Sequence, residues 1–179
     1  MTKKLLLGMS FGAIALFAAD DVVSAVEGTV KKVDSGTKTV VVATADGTEQ
    51  TMHFASKTAV HGWEASAAGA KDAMHGVNEG SHVVVHYTVK GSEKTAQEVD
   101  RVGDGGLKVS EGTVSKIDRG GKVLAVKTAD GAEATYKISD RAAVDAGKGA
   151  AKGVEKASKV TVYYTEEGGK KVVHFFKAN

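Results

Sequence analysis

The chain repeats itself. Glu27-Gly28-Thr29-Val30 returns as Glu111-Gly112-Thr113-Val114, Val33-Asp34 as Ile117-Asp118, and Thr44-Ala45-Asp46-Gly47 as Thr128-Ala129-Asp130-Gly131, all at one fixed offset. Further on, Gly76-Val77 through Val83, Val85 and Tyr87 matches Gly153-Val154 through Val160, Val162 and Tyr164 at a shorter offset. The first copy therefore carries seven extra residues, between Ala59-Val60 and Gly76. A duplicated pattern must fold as two copies of one unit of about 75 residues, near the lower end for independent stability. Gly103-Asp104-Gly105-Gly106 reads as a flexible hinge between them. The expected division is a leader over 1–25, one unit over 26–102, a Gly-rich linker over 103–107 and a second unit over 108–179.

Within each copy the period is that of strands. Val40 and Val42, then Met52 and Phe54, then Val83, Val85 and Tyr87 alternate with neighbours on the other face, and copy two repeats the set as Leu124 and Val126, Tyr136 and Ile138, and Val160, Val162 and Tyr164. Asp46-Gly47 and Asp130-Gly131 are hairpin-turn dipeptides joining the second and third strands. Val30 and Val33, like Val114 and Ile117, lie three apart, so both can face inward only if the first strand bulges or coils between them. Trp63, Ala67, Ala70 and Met74 in copy one, and the alanine-rich run from Ala142 to Ala157 in copy two, have helical spacing. The order is three strands, a helix, two strands.

That order with a bulged first strand is the OB-fold order. Gly-Thr-Val near the start, Asp-Gly in the second hairpin and Gly-Ser-x-Val-x-Val-x-Tyr over Gly80 to Tyr87 resemble small exported bacterial OB-like domains of unknown function. The expected fold class is all-β with short helices, two tandem five-stranded OB-like barrels. Copy two departs from the pattern with Ala157-Ser158 in place of Gly80-Ser81.

The first residues have the three parts that export machinery reads. Lys3 and Lys4 are followed by an apolar stretch from Leu5 to Ala19, short for a membrane span, and Val23-Ser24-Ala25 suits cleavage, which puts the mature start near Val26. An uncleaved anchor is the alternative reading. The expected address is periplasmic or secreted, with no transmembrane span in the mature form. With no cysteine there is neither a disulfide framework nor a thiolate metal site.

In OB barrels ligands commonly bind on the outer face of the second and third strands. That face would present Thr39, Val41, Thr51 and His53 in copy one, and Val123, Ala125, Lys127, Thr135 and Lys137 in copy two. It carries no aromatic platform for stacking bases, which together with export argues against nucleic acid. The formal charge of +2 is also far from that of a general polyanion sponge, but it is unevenly divided. Residues 26–102 have 8 basic and 10 acidic side chains, and residues 108–179 have 14 and 9. Lys148, Lys152, Lys156 and Lys159 cluster around the expected second helix and could meet an anionic surface; a solvated helix face is the plainer reading.

His53, His61, His75, His82 and His86 all lie in copy one. His82 and His86 share a strand face about 13 Å apart, too far to chelate one ion. A loop pair of His61 and His75 stays open, with exposed neutral histidines as the default. No metal ligand or cofactor is assigned, and no catalytic constellation stands out; Ser81 and His82 point to opposite faces. The expected role is a non-catalytic extracytoplasmic binding or adaptor protein with an unidentified envelope or extracellular partner. The alternatives are a self-associating structural subunit presenting strand edges and a polyanion binder working through copy two.

Overall fold

The computed structural model describes residues 22–63, 74, 76–142 and 154–179. Copy one consists of β1 (Val22–Asp34), β2 (Thr39–Ala43), β3 (Glu49–His61), β4 (His82–Lys90) and β5 (Glu93–Arg101). Copy two consists of β6 (Lys108–Asp118), β7 (Val123–Lys127), β8 (Glu133–Ile138), β9 (Lys159–Glu167) and β10 (Lys170–Ala178). Each set closes into a barrel, in the orders β1-β2-β3-β5-β4 and β10-β8-β7-β6-β9. All neighbours run antiparallel except β3 with β5 and β8 with β10, which are parallel.

The first strand of each barrel does two jobs. The N-terminal half of β1 pairs with β4 and its C-terminal half with β2, with a register shift between Val30 and Lys32; β6 repeats this between Val114 and Lys116. The three-residue spacing of inward valines is thus the bulge that lets one strand serve both halves of a closed sheet. Gly28 and Gly112 sit at the changeover. A Cβ on Gly28 would lie 2.3 Å from the carbonyl oxygen of Ala43, and one on Gly112 would lie 2.5 Å from that of Lys127. The repeated Glu-Gly-Thr-Val tetrad is therefore a packing requirement, because only glycine lets the backbones approach this closely.

The alternating residues fill the barrels as expected. Val30, Val40, Val42, Met52, Val83 and Val85 are buried in barrel one, and Val114, Leu124, Val126, Tyr136, Val160 and Val162 in barrel two. The Asp-Gly turns are tied the same way in both copies: Gly47 N–H donates to the Thr44 carbonyl and Gly131 N–H to the Thr128 carbonyl. Ala157 has φ 73° where Gly80 has φ 82°, so copy two keeps the left-handed turn although alanine strains it.

The stretches expected to be helical lie mostly outside the described residues. Residues 140–142 form one helical turn, while Met74, Val77 and Val154 are buried in the barrel cores. Residues 1–21 of the leader expected over 1–25 likewise lie outside the described part; the cleavage point expected at Ala25 falls inside β1, whose Val22 to Ala25 pair with β4. Among the described residues no helix is long and apolar enough to cross a membrane.

A third apolar cluster lies between the barrels. Val84 on the outer face of β4 meets Tyr163 of β9, Phe175 of β10 and Leu107, with Ala25 and Val102 packed alongside. The Tyr163 and Phe175 rings are tilted with centroids 5.5 Å apart. Residues 103–107 are a tied turn here, not the free hinge that their glycines suggest: Gly106 N–H donates to the Gly103 carbonyl, Leu107 N–H donates to the Arg101 carbonyl, and Leu107 is 1% exposed. Ion pairs flank the seam, from Lys177 to Glu27 and from Arg141 and His174 to Glu98.

Candidate functional site

Thr39 pairs with His53 and Val41 with Thr51, so the four residues expected on copy one's ligand face do share one outer face of the β2–β3 hairpin. Thr51 and His53 are exposed, Thr39 and Val41 half-buried. In copy two Val123 pairs with Lys137 and Ala125 with Thr135, so the corresponding residues also share one outer face, but Lys137 and Lys127 line different hollows. Lys137 lies beside an open cleft of about 710 Å³, with Thr128, Thr135, Tyr136, Lys170 and Lys171 among its lining residues. Lys127, at the other end of β7, lines a separate hollow of about 360 Å³ with Glu111 and Lys159.

The cleft exists because β8 and β10 pair only at Lys137–Val172 and Ile138–Val173, leaving the start of β8 apart from the β9–β10 turn. Lys171 stands over the Tyr136 and Tyr164 rings, its Nζ 5.6 and 5.5 Å from their centroids. Such cation–π contacts hold a lysine in place without neutralising it. Asp130 and Glu133 also line the cleft.

The lysine cluster expected around the second helix lies partly outside the described residues. Lys159 opens β9, Lys156 is in the turn before it, and Lys148 and Lys152 lie outside the described residues.

Of the described histidines in copy one, His53, His61 and His82 are exposed and His86 is not. His86 is fully buried, because the outer face of β4, solvent-facing in a lone barrel, is covered by barrel two. His82 hydrogen-bonds Glu27, which also accepts from Lys177. Burial works against the charge on Glu27, but these two partners outweigh it and hold the carboxyl below its ordinary range. The lowered folded value means a stabilisation present above the unfolded pKa and lost as pH falls through the folded one. Glu27→Gln should therefore cost about 1–2 kcal/mol at neutral pH, and the cost should shrink as pH falls below the ordinary carboxylate range. Urea unfolding of both proteins across that range measures the difference, and a pH-independent gap would show that the pairing contributes no such linkage.

His61 occupies the last position of β3 and is brought by the parallel β3–β5 pairing opposite Asp100, with Ala59 opposite Glu98. Its Nδ1 lies 2.9 Å from Asp100 Oδ1 and 3.3 Å from Glu98 Oε1. The hydrogen bond to Asp100 is the main cause of a raised imidazole pKa, with burial opposing it. Arg141 Nε approaches the other Glu98 oxygen at 3.5 Å, and His174 Nδ1 lies 4.0 Å from Oε1. His75 lies outside the described residues, so nothing structural joins it to His61. The sequence pairs His82 with His86 and His61 with His75, none of which lies on the fifth strand. The Glu98-x-Asp100 alternation on β5 was the available signal, since an OB barrel closes through its third and fifth strands.

Thr165, His174 and Glu98 have the order of a hydroxyl–imidazole–carboxylate relay, with Thr165 Oγ1 2.9 Å from His174 Nε2. Thr165 Oγ1 donates its proton to Glu167 at 2.9 Å, and the His174–Glu98 gap of 4.0 Å is beyond hydrogen-bond length. The hydroxyl is thus already committed, and the arrangement is that of a surface network rather than an activated nucleophile.

No family model matches the chain, and no curated protein matches it. Among solved structures, it resembles silver(I)-bound CusF at 15% identity and TM-score 0.32, over 44% of this chain and 96% of that one. It also resembles apo-CusF residues 6–88 from Escherichia coli at 15% identity and TM-score 0.35, over 52% and 98% of the two chains. The Drosophila Unr CSD456 structure matches at 11% identity and TM-score 0.35, over 90% of this chain and 63% of its own length. The OB-like class rests on the chain's own strand order, first-strand bulge and closure, twice over.

Proposed function

We propose that the chain is a non-catalytic binding module acting outside the cytoplasm, and that the cleft between β8 and the β9–β10 turn of barrel two takes an anionic ligand. The observation that carries this reading is the convergence of Lys137, Lys170 and Lys171 on one open hollow, with the hydroxyls of Thr128 and Thr135 beside them. Three cations lining one cleft attract an anion, while hydroxyls supply the directional hydrogen bonds that fix it. The basic excess of residues 108–179 acts in the same direction, and the lysine- and alanine-containing leader supports export. Closure of both barrels removes most of the free strand edges that a self-assembling structural subunit would use.

A heparin-derived oligosaccharide serves as the probe. The full mature chain should bind it with an affinity that falls as salt rises. The double substitution Lys137→Ala with Lys171→Ala should weaken binding at least tenfold, whereas Lys31→Ala with Lys32→Ala on barrel one should leave it unchanged. Equal weakening by both pairs would reduce the interaction to net charge and remove the cleft from it.

A further inference from the structure

We infer that His61, Glu98 and Asp100 form a binding site for a divalent transition-metal cation of the zinc type, independent of the cleft on barrel two. The three side chains each offer a ligand atom, and these atoms lie within 4.8 Å of one another. A tetrahedral zinc with bonds of about 2.0–2.2 Å places its donors about 3.3–3.6 Å apart. The measured separations from His61 Nδ1, 2.9 Å to Asp100 and 3.3 Å to Glu98, need only small adjustments to reach that spacing. One imidazole with two carboxylates is a donor set that suits zinc or cobalt rather than a soft monovalent ion.

A second observation points the same way. Asp100 is 2% exposed, and its Oδ2 is buried with no hydrogen-bond partner among the described residues. Leaving a buried carboxylate oxygen bare is costly, since charged groups lose most when unsatisfied. A cation bound by both carboxylate oxygens of Asp100 would give Oδ2 that partner while Oδ1 faces His61. The site also has a support beside its ligands. Arg141 holds the far oxygen of Glu98, leaving Oε1 for the ion. Oriented outer groups of this kind typify metal centres.

The site belongs to copy one alone. β3 has 13 residues against 6 in β8, and its extra length begins at Ala55, just after Phe54, the counterpart of Ile138. The phenylalanine and isoleucine are matched by their bonds: Phe54 N–H donates to the Lys38 carbonyl and Ile138 N–H to that of Lys122. The surplus of copy one thus enters inside the strand, earlier than the position after Val60 that the sequence match suggests, and it carries His61 up to β5.

The test is titration of the untagged, chelator-treated mature chain with Zn²⁺ by calorimetry and with Co²⁺ by visible absorption. One equivalent should bind with a dissociation constant in the micromolar range or tighter, and Co²⁺ should develop the intense bands of a four-coordinate site. His61→Gln, at a largely exposed side chain, should weaken binding at least thirtyfold with an unchanged circular-dichroism spectrum, and Asp100→Asn should do the same. His53→Gln should have no effect. Absence of saturable binding at 100 µM metal, or retention of the full affinity in His61→Gln, overturns the assignment.

Discussion

Gly28→Ala is expected to destabilise barrel one by about 3 kcal/mol or more, the upper end of what overpacking costs. The added methyl would sit 2.3 Å from the Ala43 carbonyl oxygen and 2.8 Å from Val42 Cγ1. A flexible side chain could swing away, but a carbonyl held in the β1–β2 ladder cannot move without breaking the pairing that closes the barrel. In a domain of this size, with about 4–8 °C of Tm per kcal/mol, the melting temperature should fall by roughly 15 °C. Gly112→Ala should do the same to barrel two, where the contact with the Lys127 carbonyl is 2.5 Å. Gly36→Ala is the control, since a Cβ there meets nothing closer than 3.4 Å. Calorimetric melts of the three proteins decide the matter: a Gly28→Ala protein melting within a few degrees of the parent would mean that β1 can switch partners without this close approach.

The second large effect is expected at the seam. Phe175→Ala should cost about 3–4 kcal/mol, and the loss should fall on the coupling between barrels. Phe175 and Phe176 are neighbours with opposite allegiances: the first packs on Val84, Leu107 and Tyr163 between the barrels, the second inside barrel two. The parent chain should unfold in one cooperative transition, because each barrel covers apolar surface of the other. Removing the Phe175 ring should separate this into two transitions, read by calorimetry and by hydrogen exchange of β4 and β9. Phe176→Ala should destabilise barrel two directly. If Phe175→Ala still unfolds as one unit with undiminished cooperativity, the seam does not couple the two halves.

What was readable in the sequence was whatever depends on neighbours within one copy. The bulge followed from two valines three residues apart, the hairpins from Asp-Gly, and the barrel interior from alternation, because side-chain direction along a strand is a local property. What lay hidden depended on surfaces meeting across the chain. His82, Val84 and His86 alternate as an outer face should, and nothing local says that a second barrel covers it. Val84 was the one signal, an apolar residue among positions that would otherwise be wet. Gly103 to Gly106 suggested freedom by composition, whereas Leu107, the residue that pins the linker, is a single leucine without a pattern. The His61 cluster needed the parallel β3–β5 register, set by barrel closure between residues nearly forty apart. The lysines were grouped by sequence proximity, while the cleft groups Lys137 with Lys170 and Lys171 from another strand.

The seam is not symmetric, although the copies are related. Barrel one contributes Ala25 and Glu27 of β1, whereas their counterparts Val109 and Glu111 on β6 are left in water, Val109 at 47% exposure. A contact between unlike faces of like units does not close on itself; repeated from molecule to molecule, it would run on as a filament. The five-residue tether makes that contact inside a single chain, and the matching position on barrel two carries Val109 and Glu111, facing water, where barrel one has Ala25 and Glu27.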